Sequence, residues 1–345
     1  MSDVKTPTIE PEIARIFSMF FDGIPSSAEV IDTSVGDSDF RHTLIITTCE
    51  GKRFVLKAVS NDFTFPDKIR MWQRTVEEYI ALGYYCPRIY SDKKGSFPFI
   101  EYHGKTCVVY AEEFSKYSPL QDRAAHDKGV QSVDLRRYSN DIWSMTAKIA
   151  ARKLNYANYP SAYCLFETFC PSDETDEVME HAMEWIDYAL SLPEEFTAQV
   201  QRIWKLWSEN RETLKNAYSR LPTSIFQADL NPTNLLVDDK GNFKGVYDFN
   251  LCGRDVFLNY LMRENHSDYD KEIRMIREAL QTASKFYDFS DEERATALSM
   301  YRCLKPLWWV DELKDAGTNR EKIKHCLDIV ESCLTDDMDF KSFMG

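Results

Sequence analysis

The sequence predicts an α+β fold in which a small antiparallel sheet with one main helix is followed by a larger, mostly helical region. Three early segments alternate apolar and polar residues with a period of two, which indicates strands. These strands are residues 28–33, 42–49 and 52–59. Residues 66–82 instead carry apolar side chains at helical spacing and predict the one main helix of this region.

The second half of the chain is dominated by helical spacing, which begins at about residue 134. A polar stretch, residues 115–132, separates it from the strands and predicts a boundary between two lobes. We therefore expect an N-terminal lobe at residues 1–114, which includes an amphipathic helix at 10–21, and a helical C-terminal lobe at residues 115–345.

Composition limits the class of protein. No apolar run reaches the roughly 18 residues that a membrane-spanning helix needs, and residues 1–5 lack the pattern of a signal peptide. The nine cysteines are scattered without the spacing of a zinc site or a disulfide framework. These features favour a reducing, cytoplasmic setting and no membrane partner.

The formal net charge of −14 disfavours nucleic acid as a partner, because duplex binding depends on neutralising phosphates. An acidic chain is compatible with a cationic substrate. Solubility alone is the simpler explanation for most of these charges.

Two acids and an amide in residues 225–249 form the most informative pattern of the chain. Asp229 is followed five residues later by Asn234, and Asp248 comes after a predicted hairpin. Pro232 disfavours helical geometry at the preceding residue, and the turn chemistry of residues 238–242 predicts the hairpin. The hairpin would return Asp248 to the loop that carries Asp229 and Asn234.

Phosphoryl transfer from a metal-bound nucleotide needs this combination of groups. One acid orients and deprotonates the attacking hydroxyl, while the amide and the second acid hold the magnesium ion. An ordinary surface hairpin with solvated acids is the alternative interpretation.

Residues 225–250 resemble the catalytic and metal-binding segments of the aminoglycoside phosphotransferase and choline kinase family, relatives of the protein kinases. The resemblance implies a protein-kinase-like two-lobe fold and transfer of a phosphoryl group from ATP or GTP, with Mg2+, to a hydroxyl of a small molecule. It assigns Asp229 as catalytic acid–base and Asn234 and Asp248 as metal ligands. Aminoglycoside-, choline- and sugar-like acceptors all fit, and the acceptor, the choice between ATP and GTP, and the oligomeric state stay open.

The resemblance also implies a nucleotide site in the N-terminal lobe. Lys57, within an apolar strand, would contact the phosphates and pair with a helix glutamate, for which Glu77 is preferred over Glu78 and Gln73. Gly36 lies where a loop would cover the phosphates. Four successive residues would neighbour the adenine through their backbone: Ala111, Glu112, Glu113 and Phe114.

Two departures from the family pattern motivate a second hypothesis. Gln227 stands where the family usually has His, and Asn259 stands where it has an Asp that braces the catalytic loop. A catalytically inactive, kinase-like nucleotide-binding or regulatory protein is therefore the alternative function.

Late aromatic and acidic residues raise the question of a cationic acceptor. Aromatic rings beside carboxylates suit a cation, but helical spacing is also typical of core and rim positions. The residues concerned are Tyr301, Trp308, Trp309, Asp311 and Glu312.

Overall fold

The computed structural model describes residues 9–121, 135–264, 269–308 and 310–345, with the backbone alone at 269 and 270. It divides into two compact units that are discontinuous in sequence. The first comprises Met1–Val133, Cys170–Ser172 and Asp229–Asn250, and the second comprises Asp134–Phe169, Asp173–Ala228 and Leu251–Gly345. The functional lobe boundary between residues 114 and 115 stays a prediction, because compactness alone does not define it.

Within its described residues, the first unit contains two sheets and two helices. In chain order, its elements are α1 (Pro11–Phe20), β1 (Pro25–Asp32), β2 (Phe40–Thr48), β3 (Arg53–Ser60), α2 (Pro66–Ala81), β4 (Ile89–Tyr90), β5 (Phe99–Tyr102), β6 (Lys105–Glu113) and β7 (Ser118–Pro119).

The second unit is mostly helical, and its sequence is interrupted by residues 229–250, which belong to the first unit. The remaining elements are α3 (Ser139–Ala151), α4 (Glu177–Ala189), α5 (Thr197–Tyr218), β8 (Thr223–Phe226), β9 (Leu235–Val237), β10 (Phe243–Val246), β11 (Gly253–Val256), α6 (Phe257–Arg263), α7 (Tyr269–Ala283), α8 (Asp291–Leu304), α9 (Val310–Asp315) and α10 (Arg320–Thr335). Strands β9 and β10 pair with each other and, through β9, with β7, all within the first unit.

The larger sheet of the first unit is antiparallel, in the order β1-β2-β3-β6-β4, with β5 pairing β6. Because side chains alternate across a strand, its two faces differ. One face packs against α1, which runs one residue shorter at each end than the predicted 10–21. This core buries apolar residues of α1, β2, β3 and β6, among them Phe17, Leu44, Leu56 and Val109.

The opposite face carries Lys57 and Tyr110, which are direct partners in the register of β3 and β6. Helix α2 contacts this face, since the ring of Trp72 lies edge-on to that of Tyr110 at a centroid distance of 6.1 Å. The sheet thus has an apolar face against α1 and a face with charged residues.

The β9–β10 hairpin is joined to the segment after α2 by its backbone. Tyr85 donates its N–H to the carbonyl of Lys244 at 2.8 Å, and its carbonyl accepts from the N–H of Val246 at 3.1 Å. Gly245 permits this approach, because a Cβ at that position would meet the Tyr85 carbonyl oxygen at 1.9 Å.

The second unit is held by buried aromatic side chains and short polar contacts. Trp207 of α5 donates its ring N–H to the carbonyl of Cys303 in α8 at 3.0 Å. Helix α8 begins with a capping box between Ser290 and Glu293. Together with the sheets, these helices make the predicted mixed α+β class.

Among the described residues, no helix combines the length and the apolar character needed to cross a membrane.

Candidate active site

Lys57 lies in the middle of β3 and holds two carboxylates. Its Nζ is 3.2 Å from Oε1 of Glu112 and 3.5 Å from Oδ1 of Asp248, and all three side chains are largely buried. Glu112 is opposite Val55 in the β3–β6 register and Lys57 is opposite Tyr110, so Glu112 and Lys57 are diagonal neighbours on one face.

The expectation that Lys57 pairs with Glu77 is wrong. Glu77 instead accepts from Nε of Arg88 at 3.0 Å, and its side chain is 53% exposed. A buried ammonium needs a carboxylate that shares its buried surface, because an unpaired charge there is costly. Glu112 meets that need from the same sheet, whereas Glu77 occupies the solvent side of α2. Within the described chain, Glu112 and Asp248 are the ion-pair partners of Lys57.

The charge of Lys57 is set by these partners. Burial by itself would lower the pKa of the ammonium, but the carboxylates of Asp248 and Glu112 outweigh it, so the pKa of Lys57 lies well above its usual value. Burial raises the pKa of Glu112, and Lys57 opposes that rise. Lys57 is therefore a permanent cation at neutral pH.

Asp229 is held by the two asparagines of its own loop. Asn231 Nδ2 donates to Asp229 Oδ1 at 2.6 Å, and Asn234 Nδ2 donates to Oδ2 at 2.8 Å and to the Asp229 carbonyl at 3.1 Å. The preceding Ala228 has a φ of 55°, a left-handed conformation that is uncommon for a non-glycine residue. Such strain is typical of functional sites and persists only where the surroundings fix it.

The pKa of Asp229 is raised to about 6. Burial is the main cause and the negative charge of Asp248 adds to it, while the amides of Asn231 and Asn234 oppose the rise. A carboxylate with a pKa near the working pH can both accept and release a proton, as a general base must.

The β9–β10 hairpin returns Asp248 to the loop, as the turn chemistry of residues 238–242 predicted. The N–H of Tyr247 donates to the carbonyl of Asn234 at 3.1 Å, which places the residue before Asp248 against the start of β9. Asp248 itself is left-handed, with a φ of 60°.

The donor set fits a hard cation. Asp229 accepts from the nitrogen of the Asn234 amide, so the oxygen of that amide is the atom that would ligate a metal, and Asp248 offers a carboxylate. Clusters of three or more His, Cys, Asp or Glu able to hold a metal are absent from the described residues. A small oxygen set is nevertheless what Mg2+ uses, because it keeps several waters and takes further ligands from substrate phosphates.

A cavity of about 650 Å3 lies on the charged face of the large sheet, within the first unit. Of the predicted site residues, Lys57, Glu112, Glu113, Phe114 and Asp248 line it. Its walls also include apolar and cationic side chains that were not predicted. These are, among others, Ile31, Val55, Val59, Leu236, Arg41, Arg53 and Lys116.

Gly36 and Ala111 are outside the described lining of this cavity. Gly36 lies in the β1–β2 connection with a φ of 65°. The side chain of Ala111 is fully buried on the opposite face of the sheet, in the core with α1. Contact of either residue with a nucleotide stays a prediction.

Asn259, which stands where the family has an aspartate, bonds to a buried carboxylate of the second unit. The carboxylate of Asp255, which is fully buried, accepts from Asn259 Nδ2 at 2.9 Å, from the hydroxyl of Tyr218 at 2.9 Å and from that of Ser161 at 2.8 Å. The hydroxyl oxygen of Tyr260 accepts from the N–H of Ala228 at 3.2 Å. Both residues belong to the second unit, and Ala228 directly precedes Asp229 in the chain.

The late aromatic residues do not form an open cation site in the described chain. Tyr301 is fully buried, and its hydroxyl donates to Cys333 Sγ at 3.5 Å. The guanidinium of Arg263 already lies over the ring of Trp308, 5.2 Å from its centroid. Asp311 and Glu312 are exposed on α9, and Trp309 lies outside the described residues.

Solved structures resemble this chain in fold at low sequence identity. An amicoumacin kinase, hAmiN, in complex with AMP-PNP, Ca2+ and Ami has a TM-score of 0.50 and 11% identity over 97% of both chains. The macrolide 2′-phosphotransferase MphH from Brachybacterium faecium has a TM-score of 0.47 and 11% identity, over 94% of this chain and 97% of the other. The choline kinase LicA from Streptococcus pneumoniae has a TM-score of 0.45 and 10% identity, over 92% of this chain and 96% of the other.

The likeness to the amicoumacin kinase supports the protein-kinase-like fold predicted from the sequence. No curated protein matches the chain in sequence. The family profile described as "APH: Phosphotransferase enzyme family" matches residues 35–258, about two thirds of the chain, and confirms the predicted family. The chain therefore belongs to the APH phosphotransferase enzyme family.

Proposed function

We propose that the protein is a kinase of small molecules that transfers the γ-phosphate of ATP to a hydroxyl group of its acceptor. The observation that carries this proposal is the grouping of Asp229, Asn234, Asp248 and Lys57 by backbone and side-chain contacts in the first unit. A protein that only bound nucleotide would have no need of a buried carboxylate whose pKa is about 6.

Asp229 acts on the acceptor in this proposal. Its carboxylate, fixed by Asn231 and Asn234, orients the hydroxyl and takes its proton as the oxygen attacks the γ-phosphorus. Holding the two reactants in line supplies much of the rate enhancement.

Lys57 acts on the nucleotide. Its ammonium binds the α- and β-phosphates, and Glu112 keeps it at that place by an ion pair from the neighbouring strand. The role that the sequence assigned to Glu77 thus passes to Glu112.

Asn234 and Asp248 would hold Mg2+, which neutralises the charge of the phosphates when bound. Their oxygens are the donors available for it at this end of the site. The choice of Mg2+ over another divalent cation is part of the proposal.

The base of the nucleotide fits the apolar part of the cavity, between Val55 and Leu236. Strand β6 ends at Glu113, and Phe114 begins the following connection. Backbone groups of Phe114 and its successor are therefore the candidates for hydrogen bonds to adenine, while those of residues 111–113 pair in the sheet.

Calorimetric titration with ATP and Mg2+, repeated in EDTA, tests the nucleotide part of the proposal. We expect saturable binding of one nucleotide per chain that EDTA weakens. A folded protein without any such binding would contradict the proposal. The acceptor is then sought among hydroxyl-bearing amines and sugars.

A pair of glutamine variants tests the assignment of Glu112. Glu112→Gln removes the buried partner of Lys57, and we expect kcat/KM for ATP to fall about ten- to hundredfold, the scale of a hydrogen bond to a charged group. Glu77→Gln is the matched control and is expected to stay within about twofold, because its ion pair with Arg88 is largely exposed. Partial recovery in Glu112→Asp would support a positioning role, and equal losses in the two glutamine variants would contradict it.

The pKa of Asp229 gives a pH dependence. Because its pKa is raised from 3.8 to about 6, the base is protonated in more of the molecules as the pH falls through 6. We expect kcat/KM to be level above that pH and to drop about tenfold per unit below it. Carboxyl-carbon NMR of the unliganded protein measures the same pKa directly, with Asp229→Asn identifying the signal. An Asp229 signal that titrates near pH 4 would contradict the expectation.

A further inference from the structure

The connection between β1 and β2 is poor in glycine, the residue that lets a backbone approach phosphates most closely. Kinase-like folds use a glycine-rich loop whose backbone N–H groups approach the phosphates. Residues 33–39 contain one glycine, Gly36, and it is outside the described cavity lining. A side-chain donor next to this connection would supplement such contacts.

Arg41 is placed to supply it. In the β2–β3 register, Arg41 is opposite Val59 and Thr43 is opposite Lys57, so Arg41 and Lys57 share one face of the sheet. Both residues line the cavity. The hydroxyl of Tyr110 lies in the fields of both cations, since Lys57 and Arg41 each lower its pKa against the larger rise caused by burial.

The side chain of Arg41 is fixed but not saturated. Its Nη2 is 3.0 Å from Oδ2 of Asp39, and the other oxygen of Asp39 accepts from Asn61 Nδ2 at 2.9 Å. The Nε–H of Arg41 is buried and has no hydrogen-bond partner in the described chain. A guanidinium with a free donor, held beside a second cation in a cavity, is suited to an anion with several oxygens.

We propose that Arg41 is a second phosphate-binding residue, which clamps the triphosphate together with Lys57 and takes over the task of the glycine-rich loop. The proposal rests on the nucleotide site proposed above. Asp39 acts through Arg41, because it holds Nη2 of the guanidinium, and Asn61 in turn holds the other oxygen of Asp39.

Arg53 offers a matched control on the same sheet face. It also lines the cavity, but it lies on β3 six residues before Val59, the residue paired with Arg41. Six residues of a strand span roughly 20 Å, so Arg53 lies about that far from Arg41. Its guanidinium lies 3.7 Å from the centroid of the Phe114 ring, where the base is proposed to bind. Arg41→Ala and Arg53→Ala thus probe opposite ends of one cavity.

The experiment measures the affinities of wild type, Arg41→Ala and Arg53→Ala for ATP with Mg2+ and for adenosine. We expect Arg41→Ala to weaken ATP binding about ten- to hundredfold, because one charge-assisted contact to phosphate is lost. Adenosine has no phosphate, so its binding should stay unchanged. Arg53→Ala is expected to weaken both ligands by the same factor. Arg41→Lys, which keeps the charge, should recover part of the ATP affinity.

Each of the following results would overturn the proposal. Arg41→Ala could bind ATP as tightly as wild type, or it could lose ATP and adenosine equally while its thermal unfolding stays unchanged, which would mean a role in shaping the cavity. If Arg41→Ala does not fold, an Arg41→Lys variant that folds without any selective change in ATP affinity would count against it. If wild type itself does not bind ATP, both the proposed function and this inference are refuted. If wild type binds ATP but Arg41→Ala shows no selective loss, only this inference is refuted.

Discussion

Replacing Asp229 with asparagine is expected to lower kcat by about a thousandfold, within the usual range for loss of a general base. The substitution keeps the shape of the side chain but removes the proton acceptor. It also turns one acceptor oxygen into a donor, so one of the amides of Asn231 and Asn234 loses its partner. The measurement is kcat at saturating ATP, together with the ATP dissociation constant, which should change little.

Asp239→Asn is the matched control for this variant. Asp239 lies in the exposed turn of the same hairpin, and its neutralisation should leave kcat within about twofold of wild type. A rate for Asp229→Asn that equals that of the control would contradict the assignment of the base.

Asp248→Asn is expected to have the second large effect, about a thousandfold loss of transfer, because it removes a carboxylate from the metal donors and one of the two partners of Lys57. Nucleotide binding should then no longer depend on EDTA. The charge of Asp248 helps to raise the pKa of Asp229, so any remaining activity should keep its level to lower pH than wild type does.

The titration that checks this prediction compares Asp248→Asn and wild type with ATP, in Mg2+ and in EDTA. Glu113→Gln is a control acid, because Glu113 lines the same cavity and bonds to the hydroxyl of Tyr85 rather than to Lys57. Binding by Asp248→Asn that EDTA weakens as strongly as in wild type would show that the metal is held elsewhere.

The arrangement of residues 229–248 could be predicted from the sequence because its structure is decided locally. Pro232 and the turn residues 238–242 specify a loop and a hairpin over a short stretch, and the register of β9 and β10 follows from that turn. Asp229, Asn234 and Asp248 lie in this stretch, so their proximity needed no knowledge of distant contacts.

The partner of Lys57 could not be predicted in the same way. It depends on the pairing of β3 with β6, whose strands are separated by more than 40 positions, and on which side of α2 faces the sheet. Helical spacing placed Glu77 near the apolar stripe, but the structure exposes it to solvent. Glu112 was named from the sequence for its backbone alone, and its side chain proved to be the buried one.

The late aromatic residues show the same limit. The suitability of Trp308 for a cation was readable from its type, but Arg263, more than 40 positions earlier, already lies over its ring. Asn231 is a further omission, and it could have been found, because an amide two residues after an acid in a loop is a common local hydrogen-bond partner.

An assay for transfer of the γ-phosphate tests the central claim most directly. The protein is incubated with Mg2+, ATP and a panel of hydroxyl-bearing amines, sugars and amino alcohols, and the products are followed by phosphorus NMR. We expect ADP and a phosphate ester to form together with at least one acceptor, and Asp229→Asn to form neither at a comparable rate. Tight binding of ATP without turnover across the panel, and with wild type and Asp229→Asn indistinguishable, would contradict it and favour a nucleotide-binding protein that is not a kinase.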